Sequence, residues 1–293
     1  MIYITGHTYP TTDLDSIASS VLTPKYIKKK FNLESKAIYF GKENKHLINI
    51  INKLGFEFSK NQRINKTDQF VLVDHNSPES SIGRKGYSNE LFGIIDHHRT
   101  CKSQKVKVFK KCNNWGACAT IIYYLYKKET ILITRNEAQL FYYAIIVDTF
   151  NLSSDATRIA DKKAIFELKK KYSGLPSGQK VLLDVFELNT KKSIKQRMLE
   201  DRKIVSVGDF SILMVNIRTY GEFFDVAVAR KYLKNEFDLE ILIFIDLKQK
   251  ITRIYYFGEL SKHFQNTTHN WLISRKAYLL PSIEKRLSKL HLI

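Results

Sequence analysis

His7, Asp13, Asp15, Asp74, His97 and Asp148 are side chains of the kinds that hard divalent cations select, carboxylates and imidazoles without sulfur. Three of them fall within Thr5 to Ser16, a polar stretch that leads into a helical pattern. A helix start favours acidic residues in any case, so capping alone accounts for Asp13 or Asp15. His7 is what capping leaves unexplained. Asp74 closes the apolar run Phe70 to Val73, and Asp96, His97 and His98 close the run Phe92 to Ile95. A lone aspartate at a strand end is usually a turn or cap residue, and His75 beside Asp74 could serve packing alone. Several such clusters at one edge of one sheet are harder to explain as separate caps.

The elements around these residues put them at such an edge. Ile2 to Thr5 reads as a strand, Ser16 to Lys30 as a helix, Lys36 to Phe40 as a strand and Asn44 to Leu54 as a helix. The runs at 70–73 and 92–95 are too short for helices and have the residues of buried parallel strands. Helical patterns follow at Ala117 to Lys128, Asn136 to Val147 and Arg158 to Lys171. This alternation predicts an α/β fold, a mostly parallel sheet flanked by helices, with ligands beyond the carboxyl ends of its strands. From Phe186 the pattern loosens into a polar connector, so the expected division is a first domain over 1–187, a linker over 188–195 and a second domain over 196–293. The second domain, smaller and also α/β with a mixed sheet, offers a strand at Phe210 to Ile217 and a helix around Phe223 to Glu236. A hairpin of Glu240 to Asp246 with Ile251 to Phe257 and a last helix near Ser282 to Leu290 follow.

A hydrophobic fraction of 44% excludes disorder. The net charge of +19 invites a polyanion, yet the lysines are scattered along the whole chain, which reads as a solvated basic surface and makes nucleic acid an unlikely partner. Cys101, Cys112 and Cys118, an odd number without a Cys-x-x-Cys pair, argue against a disulfide framework and a thiolate zinc site, and fit a reducing compartment. The chain opens on a strand pattern with no signal-peptide character, and its apolar runs are too short to span a bilayer. The expected location is cytoplasmic, with no membrane partner.

Four motifs in order, Asp13-Leu14-Asp15-Ser16, Val73-Asp74-His75-Asn76, Ile95-Asp96-His97-His98-Arg99 and Ile146-Val147-Asp148-Thr149-Phe150, resemble those of the DHH phosphoesterases. Within that superfamily the chain looks most similar to the manganese-dependent, family II inorganic pyrophosphatases. His7-x-x-Pro10 before the first motif and Ser274-Arg275-Lys276 followed by Leu280-Pro281 narrow it so. One departure is Thr11-Thr12 ahead of Asp13, where the family usually has an aspartate right after the proline; it reads as a two-residue insertion that keeps the Asp-x-Asp pair. The resemblance implies two Mn²⁺, with Co²⁺ as an alternative, and Mg²⁺ arriving with the substrate. His7, Asp13, Asp74 and Asp148 would hold one ion and Asp15, Asp74, His97 and Asp148 the other. His98 would meet the substrate as a hydrogen-bond or proton partner, and Asp96 would orient the histidines.

Two divalent ions and four carboxylates make a nearly neutral centre, so capture of pyrophosphate needs further cations. The resemblance implies Lys203, Arg275 and Lys276 in that role, guanidinium being suited to bidentate grip of phosphoryl oxygens. The implied chemistry is two-metal hydrolysis of pyrophosphate to two phosphates, completed by closure about the connector. Members of the family are commonly homodimers. A short-chain exopolyphosphatase is the nearest rival, and His7 argues against it. Phosphodiesterases of the superfamily carry a glycine-rich, histidine-containing motif that is missing between Val205 and Ile293. A basic nucleic-acid-binding protein with a vestigial site would be free to lose Asp74 or Asp148, and both survive.

Overall fold

The computed structural model describes residues 1–7, 12–40, 44–60, 64–82, 91–98, 105–188, 190–222 and 224–293, with only the backbone of Ser80 and Lys276. The chain forms two compact units, Met1–Leu152 with Thr157–Val181, and Ser153–Ala156 with Leu182–Ile293.

In the first unit β1 (Ile2–Thr5), β2 (Ser35–Tyr39), β3 (Ser59–Lys60), β4 (Gln69–Val73), β5 (Leu91–Asp96) and β6 (Phe109–Cys112) form one sheet in the order β3-β2-β1-β4-β5-β6. Every pairing in it is parallel. Phe70, Val71, Leu72 and Val73 of β4 and Ile94 and Ile95 of β5 are fully buried, as strands covered on both faces must be. The helices are α1 (Leu14–Phe31), α2 (Lys45–Lys53), α3 (Cys118–Lys128), α4 (Arg135–Asp148), α5 (Ile159–Lys171) and α6 (Gly178–Val185), whose last residues pass into the second unit. Asp13 caps α1 by accepting from the Ser16 amide at 2.9 Å. A capping box of Thr134 and Glu137 starts α4. Strand order reverses where β1 lies between β2 and β4, which opens a crevice at the carboxyl ends of β1 and β4.

The second unit carries β7 (Arg202–Val207), β8 (Phe210–Thr219), β9 (Leu239–Asp246), β10 (Ile251–Phe257) and β11 (Thr267–His269) in the order β11-β10-β9-β8-β7. The sheet is mixed: β8 and β9 run parallel and the other neighbours antiparallel. Its helices are α7 (Ile194–Glu200), α8 (Val226–Arg230) and α9 (Leu280–Lys289), and a π-turn at Arg275–Leu279 leads into α9. Ile194, Met198, Val215, Ile217, Ala229, Leu242 and Phe244 form one of its cores. The α/β fold expected from the sequence is the one found, sheet for sheet.

One expectation needs correction. The helix over 223–236 shrinks to α8, because after two β-branched residues the chain unwinds into tight i to i+3 turns at Tyr232 and Leu233 and reaches a left-handed Asn235. Cys118 is a free, buried thiol. Among the described residues no helix is long and apolar enough to cross a membrane.

Candidate metal centre

The crevice gathers side chains from β1, α1, β4, β5 and α4. Asp15, His97 and Asp148 each bring one ligand atom within 4.8 Å of the others, and so do Asp74, His97 and His98. His97 joins the two groups. Its Nδ1 donates to the Trp115 carbonyl at 3.0 Å, which turns Nε2 toward Asp74 Oδ1 at 2.9 Å and Asp148 Oδ2 at 3.7 Å. An imidazole nitrogen and carboxylate oxygens packed this closely need a proton or a cation among them.

Backbone geometry sets the carboxylates. Asp74 has φ 61, a left-handed conformation that costs a residue with a Cβ about 1–3 kcal/mol, and its amide donates to the Ile95 carbonyl at 3.0 Å. Its Oδ2 accepts from Ser16 Oγ at 2.5 Å, which ties β4 to α1. Asp15 receives the Cys118 amide at 2.6 Å and the Ala119 amide at 2.9 Å, so it caps α3 as well as facing the crevice. Asp148 is the last residue of α4, where the helix dipole is unfavourable for a carboxylate. Left-handed Phe150, Asn151 and Leu152 then carry the chain away. Gly6 allows β1 to end against α1: a Cβ there would meet the Ser16 carbonyl oxygen at 2.6 Å.

Burial, then the neighbouring charges of Asp74 and Asp148, push the Asp15 carboxyl well above the usual range. Such crowding of carboxylates is what cations relieve. The His7 Nδ1 is buried and has no hydrogen-bond partner among the described residues, and His7 is close enough for its charge to act on Asp13. An orphaned imidazole nitrogen, crowded carboxylates and an all-nitrogen, all-oxygen donor set fit hard divalent cations. His7 and Asp13 lie in range of the cluster but outside both of the tight groups.

Asp96 is fully buried and accepts from His98 Nδ1 at 2.7 Å and from Asn76 Nδ2 at 2.7 Å. Burial opposes ionisation, yet the His98 hydrogen bond and charge hold Asp96 down to about 2. It orients His98, while His97 takes its orientation from Trp115 instead. His75 is buried, donating to the Val73 carbonyl at 2.9 Å and accepting from Ser81 Oγ at 2.7 Å, so both its ring nitrogens are committed to the fold. Ser16, Trp115 and the amides of Cys118 and Ala119 were not singled out from the sequence. Ser16 is the last residue of the first motif but carried no role there; the others are backbone groups that no residue type marks.

In the second unit Arg275 Nη2 meets Asp201 Oδ1 at 2.5 Å, while Arg218 Nη2 pairs with Asp201 Oδ2. Asn216 Nδ2 also donates to Oδ2, at 3.0 Å. Against burial, which would raise it, Arg218 and Arg275 hold the Asp201 carboxyl well below the usual range. Lys203 lies on β7 opposite Met214. The side chain of Lys276 lies outside the described residues.

Residues 1–145 match the model of the DHH family, N-terminal domain. Over 97% of this chain and 94% of its own length, a Lactobacillus delbrueckii subsp. bulgaricus protein named "probable manganese-dependent inorganic pyrophosphatase" is 24% identical. A Bacillus licheniformis protein of the same name is 25% identical over 98% of both. A crystal structure of a candidate family II inorganic pyrophosphatase from Methanococcus jannaschii shares the fold with a TM-score of 0.77 at 21% identity, covering 98% of this chain and all of that one. An exopolyphosphatase-related protein of Bacteroides fragilis reaches a TM-score of 0.50 at 14% identity, over 98% of this chain and 92% of its own.

Proposed function

We propose, from the premise that residues 1–145 make this chain a DHH family protein, that it is a manganese-dependent inorganic pyrophosphatase of the cytoplasm, cleaving pyrophosphate to two phosphates. The observation that carries the reading is the convergence of Asp15, Asp74, His97, His98 and Asp148 on one crevice. Similarity over nearly the whole length to two relatives named for that activity supports it.

In this reading His7, Asp13, Asp15, Asp74, His97 and Asp148 hold two Mn²⁺, which when bound lower the pKa of a water and polarise the phosphoryl group. The protein groups do the rest. The Trp115 carbonyl keeps His97 Nε2 turned toward Asp74 and Asp148, where it would join them in holding the ions, and the Ser16 hydroxyl fixes the rotamer of Asp74. Asp96 holds the His98 Nδ1 proton, which leaves Nε2 as the atom that hydrogen-bonds to substrate or hands a proton to the departing phosphate. Lys203, Arg275 and Lys276 are the substrate cations, offsetting the charge of an anion that the nearly neutral centre does not attract.

The test is phosphate release from pyrophosphate by metal-stripped protein resupplied with manganese, cobalt, zinc or magnesium in turn, with tripolyphosphate as a parallel substrate. Manganese or cobalt should restore the fastest release, from pyrophosphate. Faster release from tripolyphosphate would favour a short-chain exopolyphosphatase, and silence on both substrates would end the reading.

A further inference from the structure

We propose that Asp201 is a positioning residue, holding the Arg275 guanidinium by one nitrogen so that the other is presented to a phosphoryl group of the substrate. The inference rests on the pyrophosphatase reading and deepens it. A guanidinium offers its donors in a rigid planar fork, so fixing one side fixes where the other points. Nη2 is fixed, 2.5 Å from Asp201 Oδ1. Nη1, on the other side of the fork, is buried and has no hydrogen-bond partner among the described residues. Buried donors in folded proteins are nearly always satisfied, and an orphan on a rigidly held arginine is the arrangement expected of a side chain whose remaining acceptor is a ligand.

A simple Asp–Arg pair would cancel the charge that an anion site requires. Here the same carboxylate also pairs with Arg218, through its second oxygen. One carboxylate between two guanidiniums leaves one net positive charge, so orientation is gained without neutrality. The clamp is itself braced. Arg218 stacks on Phe186 with its guanidinium carbon 4.4 Å from the ring centre. Asn216 holds Asp201 twice, through Nδ2 to Oδ2 at 3.0 Å and through its amide to the Asp201 carbonyl at 2.9 Å. One residue before Arg275, the Ser274 amide donates to Asp155 Oδ1 at 2.8 Å, which secures the backbone from which the arginine projects. Arg275 is therefore fixed at its root and at its tip.

The charge sign separates positioning from bulk electrostatics. Asp201→Asn removes a negative charge beside a site for an anion; if charge alone mattered, the KM for pyrophosphate would fall. If Asp201 positions Arg275, KM rises about tenfold or more in the manganese-loaded full chain, with kcat changed much less and manganese affinity unchanged. In an Arg275→Gln background the same substitution should then add less than about twofold, because the group it positions is gone. An unchanged or lowered KM, or equal effects of Asp201→Asn in both backgrounds, overturns the proposal. Should Asp201→Asn fail to accumulate as folded protein, Asp201→Glu, which keeps the charge and shifts the carboxylate by one methylene, is read against the same outcomes. A parent protein that releases no phosphate from pyrophosphate overturns the pyrophosphatase reading and this inference with it. An active parent with a KM indifferent to Asp201 overturns the clamp alone.

Discussion

Asp15 and Asp148 face the same crevice but are held differently, and that difference is measurable. Asp15 accepts two amides at the start of α3, hydrogen bonds that belong to the fold and do not depend on metal. Asp148 ends α4 against the dipole and adds to the charge crowding of Asp15. In chelator, Asp15→Asn should lose about 1–2 kcal/mol, since an amide nitrogen must turn toward one of the two donors, whereas Asp148→Asn should match or exceed the parent in thermal stability. Both should lose manganese stabilisation, and melting curves with and without the ion test the pair; a metal-free Asp148→Asn that melts well below the parent would refute the crowding argument. His75 gives the pH counterpart. Burial depresses it from 6.5 to about 4, so the folded protein keeps it neutral while the unfolded chain protonates. A depressed pKa contributes stability that is complete above 6.5 and is lost as pH falls toward 4, about 3 kcal/mol over the window. In chelator, His75→Gln should flatten the fall in unfolding free energy between pH 6.5 and 4.5; an unchanged slope would count against it. Such residues are legible when their type is chemical and their motif compact, as with Asp13, Asp15, His97 and His98. The Trp115 carbonyl and the Asp201 clamp are not, because carbonyls have no residue type and Asp201 meets Arg275 only in the fold.

At the scale of elements, every interior strand of the first sheet was readable as an apolar run, and the four strands left unread are the four sheet edges. β3, β6, β7 and β11 flank their sheets and are short or expose alternate residues. An edge strand needs no continuous hydrophobic sequence, since one side of its ladder faces solvent, and polar residues there also deter pairing with other chains. Helices α1 to α5 were readable to within a residue or two because period and caps agree, as at Asn44 and Thr134, whereas the short α6 went unread. The helix expected at 223–236 ends early, at Lys231, where no glycine or proline in the sequence marks a stop. Gly6 shows how closely elements must meet to build the crevice: its missing Cβ is where the Ser16 carbonyl of α1 sits. Gly6→Ala should push the start of α1 outward, taking the Ser16 hydroxyl from Asp74 and shifting Asp15. The expected cost is about 1–3 kcal/mol of stability and a tenfold or greater loss of manganese affinity, read by calorimetric titration. A variant with parental manganese affinity would show that this contact does not set the site.

For the molecule as a whole, the proposed function would divide the ion-binding residues and most of the substrate cations between the two units. Asp15, Asp74, His97, His98 and Asp148 all belong to the first unit, and Asp201, Arg218 and Arg275 to the second. Each unit has its own buried cluster, Ile38, Phe70, Leu72, Ile82 and Ile94 in one and Ile194, Met198, Val215, Ile217, Ala229, Leu242 and Phe244 in the other. Separate cores predict separable unfolding. A ligand that binds only the folded first unit stabilises that unit by about 3–4 kcal/mol at 100 to 1,000 times its dissociation constant. For a unit of this size each kcal/mol moves the midpoint by roughly 2–4 °C, so manganese should raise one calorimetric transition by about 6–16 °C. The transition of the second unit should stay within a degree or two, because none of its described residues joins the crevice groups. Pyrophosphate or a non-hydrolysable analogue, added after manganese, should then move the second transition through Arg275 and its neighbours, and Asp201→Asn should reduce that second shift while leaving the first intact. Two transitions that rise together on manganese alone would mean that the units do not unfold independently or that the second unit also binds the ion.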